Sequence, residues 1–132
     1  MPTLANITVK KADGTTDVTY TAVAGAAGDR TPAAFRNNTV GTTISERPTL
    51  LISSKDNGPR TGRRVDINFS WPMTTVDAGG NKSIVGRMTG TASVLVPQNQ
   101  EASVIAEQAH QFGNLIGSSI VKASINEGYA PR

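Results

Sequence analysis

The sequence predicts an α+β fold, an antiparallel β-sheet followed by two α-helices, and three observations carry that prediction. All sixteen threonines lie at or before Thr91, whereas Ala, Gln and Glu crowd residues 98–110. β-Branched residues suit a pleated, half-buried surface, and Ala, Gln and Glu suit helices, so strands come first and helices last. Residues 64–71 alternate strictly: Val65, Ile67, Phe69 and Trp71 point one way, and Arg64, Asp66, Asn68 and Ser70 the other. Ala102, Ile105, Ala109, Phe112 and Ile116 recur instead at helical spacing. Strands that follow one another through short turns pair antiparallel, which places the chain in the α+β class.

The elements follow in order. Leu4, Ile7 and Val9 open a first strand, Asp13-Gly14 supplies a hairpin turn, and Val18, Tyr20 and Ala22 alternate along its partner, so a hairpin spans 4–23. Gly and Ala make residues 24–32 a loop, and a short strand is expected around Ala34–Asn37. Leu50 and Ile52 share one face of the next strand, with Thr49, Leu51 and Ser53 on the other. Pro72 is expected to end the strand that follows, because proline donates no ladder hydrogen bond. A flexible loop is then expected over 73–86, with Gly79-Gly80 at its tip. From Arg87 to Val96 a last strand sets Met88, Gly90, Ala92, Val94 and Val96 against Arg87, Thr89, Thr91 and Ser93, so the sheet proper spans 32–97. The helices span 99–127. Asn99 is the expected N-cap of the first, Gly117 breaks the run, and Ser118 or Ser119 caps a second helix that carries Ile120, Val121 and Ile125 before Gly128.

Length and composition bound the rest. A chain of 132 residues suits one domain, spanning 1–132, with a modest core of Val, Ile, Leu and Ala. The absence of cysteine removes disulfides, thiolate metal sites and Cys nucleophiles. A single histidine, His110, sits among glutamines on a helix flank and reads as a solvated side chain, not a triad base. Gly79-Gly80-Asn81-Lys82-Ser83 lacks the spacing and the strand-to-helix setting of a phosphate loop, and the carboxylates are scattered along the chain. No enzyme, metal site, cofactor or small-molecule substrate is expected. No apolar run approaches the roughly 18–20 residues of a membrane span, and residues 1–5 do not read as a signal peptide. The chain reads as a soluble protein made without export.

One cluster remains. Between Lys55 and Arg64 stand four positive charges, Lys55, Arg60, Arg63 and Arg64, with Asp56 as the only negative one. It reads either as a solvated turn or as a phosphate-contacting patch, with Asn68, Ser70, Thr89 and Thr91 able to hydrogen-bond bases. The sheet face there carries no aromatic platform on which a single-stranded base could stack. The apolar stripes raise a second expectation: a broad sheet with one long and one short helix leaves apolar surface uncovered, so a second copy should cover it.

At the scale of the whole chain, this order of elements resembles the coat proteins of single-stranded RNA bacteriophages, the levivirus type. The local stretches that carry the resemblance are Glu46-Arg47-Pro48-Thr49-Leu50-Leu51-Ile52-Ser53, the basic turn, Arg64-Val65-Asp66-Ile67-Asn68-Phe69-Ser70-Trp71-Pro72, and the helical end from Asn99 to Gly128-Tyr129. The resemblance implies an intertwined homodimer in which two five-stranded sheets join and each subunit's helices cover its partner's sheet. Ile105, Ala109, Phe112, Ile116 and Ile120 would form that dimer interface. It further implies an icosahedral shell, made in the bacterial cytoplasm and found in the virion. The loop over 73–86 would meet its copies there, and the polar sheet face would bind the RNA genome and a translational-operator hairpin. Carried over by position, Thr49, Ser53 and Lys55 would face RNA from one strand. Arg64, Asp66, Asn68 and Ser70 would do so from the next, and Arg87, Thr89 and Thr91 from the last; Arg60 and Arg63 would join them from the basic cluster. Leu51 and Asp66 on that face, and the lack of a tyrosine on the last strand, depart from the better-known members and favour general RNA packaging over hairpin-specific readout. A small β-rich tail or adhesion subunit without RNA binding is the competing class.

Overall fold

The computed structural model describes residues 1–132, which divide into two compact units, Met1–Val96 and Pro97–Arg132. The first unit is one six-stranded antiparallel meander in which spatial order follows sequence order. Its strands are β1 (Ile7–Lys10), β2 (Asp17–Ala24), β3 (Ala33–Arg36), β4 (Thr49–Asp56), β5 (Gly62–Val76) and β6 (Lys82–Pro97). The N-terminal hairpin pairs into this sheet through β2 and β3, which makes six strands where the family resemblance implies five. A 3-10 turn at Ile44–Glu46 leads into β4; the Glu46 carboxylate accepts the backbone N–H of Thr42 at 2.8 Å and of Thr43 at 3.3 Å.

Register decides which side chains share a face, because directly opposed residues in an antiparallel pair point the same way. Thr49 opposes Ser70, Leu51 opposes Asn68, Ser53 opposes Asp66 and Lys55 opposes Arg64. The alternate set, Leu50 with Phe69 and Ile52 with Ile67, makes the other face apolar. Phe35 opposes Leu50, Ala22 opposes Phe35 and Ile7 opposes Tyr20, so the apolar face runs across to β1.

Two expectations about the β5–β6 connection are corrected. Pro72 does not end β5, and most of 73–86 is strand, the reversal being confined to the turn between Val76 and Lys82. The pairing with β4 stops at Ser70, so Pro72 lies beyond the partner strand and its missing N–H leaves no β4 carbonyl unmet. The turn is tight because the Asp77 carboxylate accepts the N–H groups of Gly79 and Asn81, each at 2.9 Å, and Gly80 takes a left-handed φ of 81°. Those hydrogen bonds favour the charged carboxylate and hold its pKa below the usual aspartate value.

The second unit contains α1 (Ala102–Ile116) and α2 (Ser119–Glu127). Asn99 does not cap α1: β6 runs to Pro97, residues 98–100 make the exit from the strand, and Glu101 takes the N-cap position without a side-chain cap bond. Ser118 does occupy the N-cap of α2, although its hydroxyl donates backwards to the Leu115 carbonyl at 2.7 Å. Gly128 closes α2 at φ 77°, as its place after the helical run predicts.

The modest core expected from chain length is not present. Tyr20 and Phe35 are the only buried large apolar side chains, and neither helix contains a buried residue. Phe112 is 41% exposed, Ile116 47% and Ile120 63%. No helix is long and apolar enough to cross a membrane.

Where Gly62 at the start of β5 faces the end of β6, size is constrained. A Cβ on Gly62 would lie 2.8 Å from the Val96 carbonyl oxygen, a backbone atom that cannot swing aside, whereas one on Gly58 would meet nothing within 4 Å. Gly62→Ala should lower stability by about 1–3 kcal/mol, as overpacking does. Gly58→Ala should stay within ~0.5 kcal/mol of the parent. Paired denaturant titrations read both, and equal midpoints would refute the close approach.

Candidate nucleic-acid interface

The polar face gathers side chains from every strand. Thr8 and Lys10 of β1 stand opposite Thr19 and Asp17 of β2, and Thr21 of β2 stands opposite Arg36 of β3. Arg36 in turn opposes Thr49 of β4. Thr49, Leu51, Ser53 and Lys55 then face Ser70, Asn68, Asp66 and Arg64 of β5. Hydrogen bonds tie β5 to β6 on this side: Ser93 Oγ donates to Asp66 Oδ1 at 2.7 Å and Thr91 Oγ1 donates to Asn68 Oδ1 at 3.3 Å. Arg87 Nη1 reaches Ser70 Oγ at 3.5 Å. Thr89 lies between Arg87 and Thr91 on the same alternation.

The charge on this face is mostly uncommitted. Asp66 is its central carboxylate, and Lys55 Nζ stands 3.4 Å from Asp66 Oδ2. The Ser93 hydroxyl first, and then Lys55, hold the Asp66 carboxyl below the usual aspartate range. Lys10 pairs with Asp17 at the far edge. Arg64, Arg87 and Arg36 have no carboxylate partner, so the middle of the sheet keeps a net positive field.

Ten of the twelve residues expected at an RNA surface therefore stand together on this face: Thr49, Ser53, Lys55, Arg64, Asp66, Asn68, Ser70, Arg87, Thr89 and Thr91. Arg63 and Arg60 do not join them. Arg63 opposes Asp56, on the apolar side, and its guanidinium is shared between Asp56 at 2.8 Å and Asp29. That double ion pair ties the loop before β3 to the β4–β5 hairpin and lowers the Asp29 pKa. Arg60 lies in the β4–β5 turn at φ 57°, where Asn57 organises the chain by accepting from the Gly62 N–H at 3.2 Å. Arg36 was not legible as a member of the face, since the sequence gives β3 too few residues to establish its alternation. Alternation alone places Ser93 on the face but does not reveal its bond to Asp66. The five residues expected at a dimer interface lie on the helical unit, Ile105 half-buried and Ala109, Phe112, Ile116 and Ile120 exposed.

No protein-family model matches the sequence, and no curated protein matches it either. Solved structures do match. The subunit of the virus-like particle of Beihai levi-like virus 21 superposes with a TM-score of 0.80 at 22% identity, covering 99% of both chains. That of the virus-like particle of bacteriophage NT-214 gives 0.79 at 14% identity, over 99% of this chain and 100% of the other. The bacteriophage GA capsid protein gives 0.72 at 18% identity over 95% of each. The fold of this chain, a six-stranded antiparallel meander followed by two helices, is thus similar over nearly its full length to the folds of these subunits.

Asp66 provides a direct check on the geometry of the face. Its folded pKa is depressed, so its interactions contribute stability above the unfolded value, about 3.9, and that contribution is lost as pH falls through the lower folded value. Carboxyl chemical shifts should show Asp66 titrating below the ordinary value, and Ser93→Ala should raise its pKa. An unchanged Asp66 titration in that variant would remove the Ser93 bond from the account.

Proposed function

We propose that this chain is the coat protein of a single-stranded RNA phage: it dimerises, closes into an icosahedral shell, and packs RNA against the polar face of its sheet. The observation that carries the reading is fold likeness over essentially the full length of both chains to virus-like-particle subunits. The protein would act as a structural component of the virion, with no reaction to catalyse.

The residues suit each step. Dimerisation answers the exposed apolar surface. Helices as short as α1 and α2 are marginal alone in water, and their stripe of Ile105, Ala109, Phe112, Ile116 and Ile120 has the composition of an interface core. Laid over the apolar face of a second copy's sheet, each helical pair would bury its stripe and cover Phe69, Trp71 and their neighbours together. The turn at 77–81, at the tip of the long β5–β6 hairpin, would meet its counterparts around the shell's symmetry axes.

RNA would lie on the opposite face. Arg64, Arg87 and Lys55 offer charge to phosphates, and Arg60 adds to it from the turn. Thr49, Ser53, Asn68, Ser70, Thr89 and Thr91 offer hydrogen bonds to sugars and base edges. Asp66 would orient Lys55 and repel phosphate locally. The face has no aromatic side chain for base stacking, so contacts to the RNA backbone dominate and binding tolerates many sequences. Repression of translation through one RNA hairpin is the finer form of this reading, and it requires base readout by the same hydroxyls and Asn68. Arg63, committed to two carboxylates on the other side, drops out of the RNA surface.

Light scattering on the protein purified from bacteria should give a particle of megadalton size with nuclease-protected RNA inside. A clean monomer would overturn the coat-protein reading, and an RNA-free assembly would favour a tail or adhesion subunit. Phe112→Asp should abolish dimer and particle together. Wild-type particle yield from that variant would refute the helical interface.

A further inference from the structure

Arg36 and Arg47 are charged groups that the proposed RNA surface does not yet use. Arg36 ends β3 with Thr21 opposite it on one side and Thr49 on the other, which places it on the polar face. Arg47 lies two residues before Thr49 on extended backbone, φ −87° and ψ 134°, and so follows the same alternation. Neither has a carboxylate within ion-pair distance. Arg47 Nη1 donates to Asn38 Oδ1 at 3.2 Å, and the Arg36 side chain makes no hydrogen bond. The Nε–H of each is shut off from solvent with no acceptor. The neighbouring Glu46 cannot serve, since its carboxylate is held by Thr42 and Thr43.

The buried Nε–H groups are out of reach of an incoming anion, but the Arg36 Nη groups make no hydrogen bond and Arg47 engages only Nη1, so the remaining Nη–H groups can donate charge-assisted hydrogen bonds to an anion at the surface. We propose that Arg36 and Arg47 hold a phosphate of the RNA backbone at the β3 end of the polar face. The proposal rests on the RNA-packing reading above and assigns it a contact away from the β5–β6 centre. Two guanidinium donors with no acid between them match a phosphodiester, and they lie on the face that carries Arg64 and Arg87.

The test uses the full-length chain freed of co-purified RNA, and a labelled single-stranded RNA oligonucleotide titrated over a range of salt. Arg36→Gln and Arg47→Gln should each lower affinity about tenfold and flatten the dependence of log K on log salt by ~0.7, the loss of one phosphate contact. Arg36→Lys, which keeps the charge, should restore the slope. Thermal melts of Arg36→Gln without RNA should not fall below the parent, because its side chain makes no hydrogen bond to lose, and Arg47→Gln gives up only the exposed bond to Asn38. If Arg64→Gln weakens binding while both of these variants bind as the parent does, the contact is refuted and the RNA reading stands. If the parent itself binds no RNA, both fall. Failed assembly with unchanged RNA affinity would assign the arginines to a protein neighbour and overturn the proposal.

Discussion

The antiparallel register of β4 against β5 is the constraint on which the rest depends. Side-chain period in a strand is two, so a slip of one residue would exchange the faces completely. Phe69, Ile67 and Val65 would then meet Leu51, Ser53 and Lys55, and the face carrying Arg64, Asn68 and Ser70 would cease to exist as a unit. Local turns at opposite ends of β5 align it with its two neighbours, β4 at one end and β6 at the other. The Asn57–Thr61 turn joins β4 to β5 through Asn57 N to the Gly62 carbonyl at 3.1 Å and Gly62 N to Asn57 Oδ1 at 3.2 Å. The Asp77 turn joins β5 to β6 in the same manner, with one carboxylate accepting two backbone N–H groups. Arg63 adds a third pin, since its bonds to Asp56 and Asp29 form only in this alignment.

What the sequence made legible follows from how local each signal is. Alternation over 64–71 needs only one strand to be read, and both faces it predicts are the faces observed. The helical stripe and the Gly128 stop are equally local. Pro72 misled because its effect depends on where the neighbouring strand ends, which is a property of pairing. Reading 73–86 as a loop failed for a related reason: Gly-rich, polar residues mark a turn, but the length of the ladder leading to it is set by two strands together. Arg63 and Arg64 are adjacent and chemically alike, and only their partners tell them apart. Asp29, remote in sequence, could not be predicted as one of them.

The unburied surface is informative about what kind of protein this is. A soluble monomer of this length normally encloses a core, yet here two large apolar side chains are buried and Val23, Leu115, Ile116, Ile120 and Ile125 are substantially exposed. Deficient cores of this kind belong to chains whose folding is completed by association, where a large interface resembles a domain core cut in half. Folding and dimerisation would then be one equilibrium, and stability would depend on protein concentration.

Electrostatics and association also constrain one another. The proposed shell would bring many copies of the same positive face to its interior, where their mutual repulsion would grow unless an anion were enclosed. The arrangement of charge on the sheet suits that requirement. Lys10 and Lys55 are paired with Asp17 and Asp66, while Arg36, Arg64 and Arg87 are left to an external partner. Planar, permanently charged guanidinium groups without a carboxylate partner would thus carry most of the grip on phosphate, with Lys55 held beside them by Asp66, as suits a surface that must grip a flexible polyanion with little regard for its sequence. Specific readout would need a rigid stacking platform, and the threonines and serines that fill these positions supply hydrogen bonds without one. RNA enclosed by such a face would neutralise the proposed shell as it formed, so assembly and packaging would become a single process driven by the same charges.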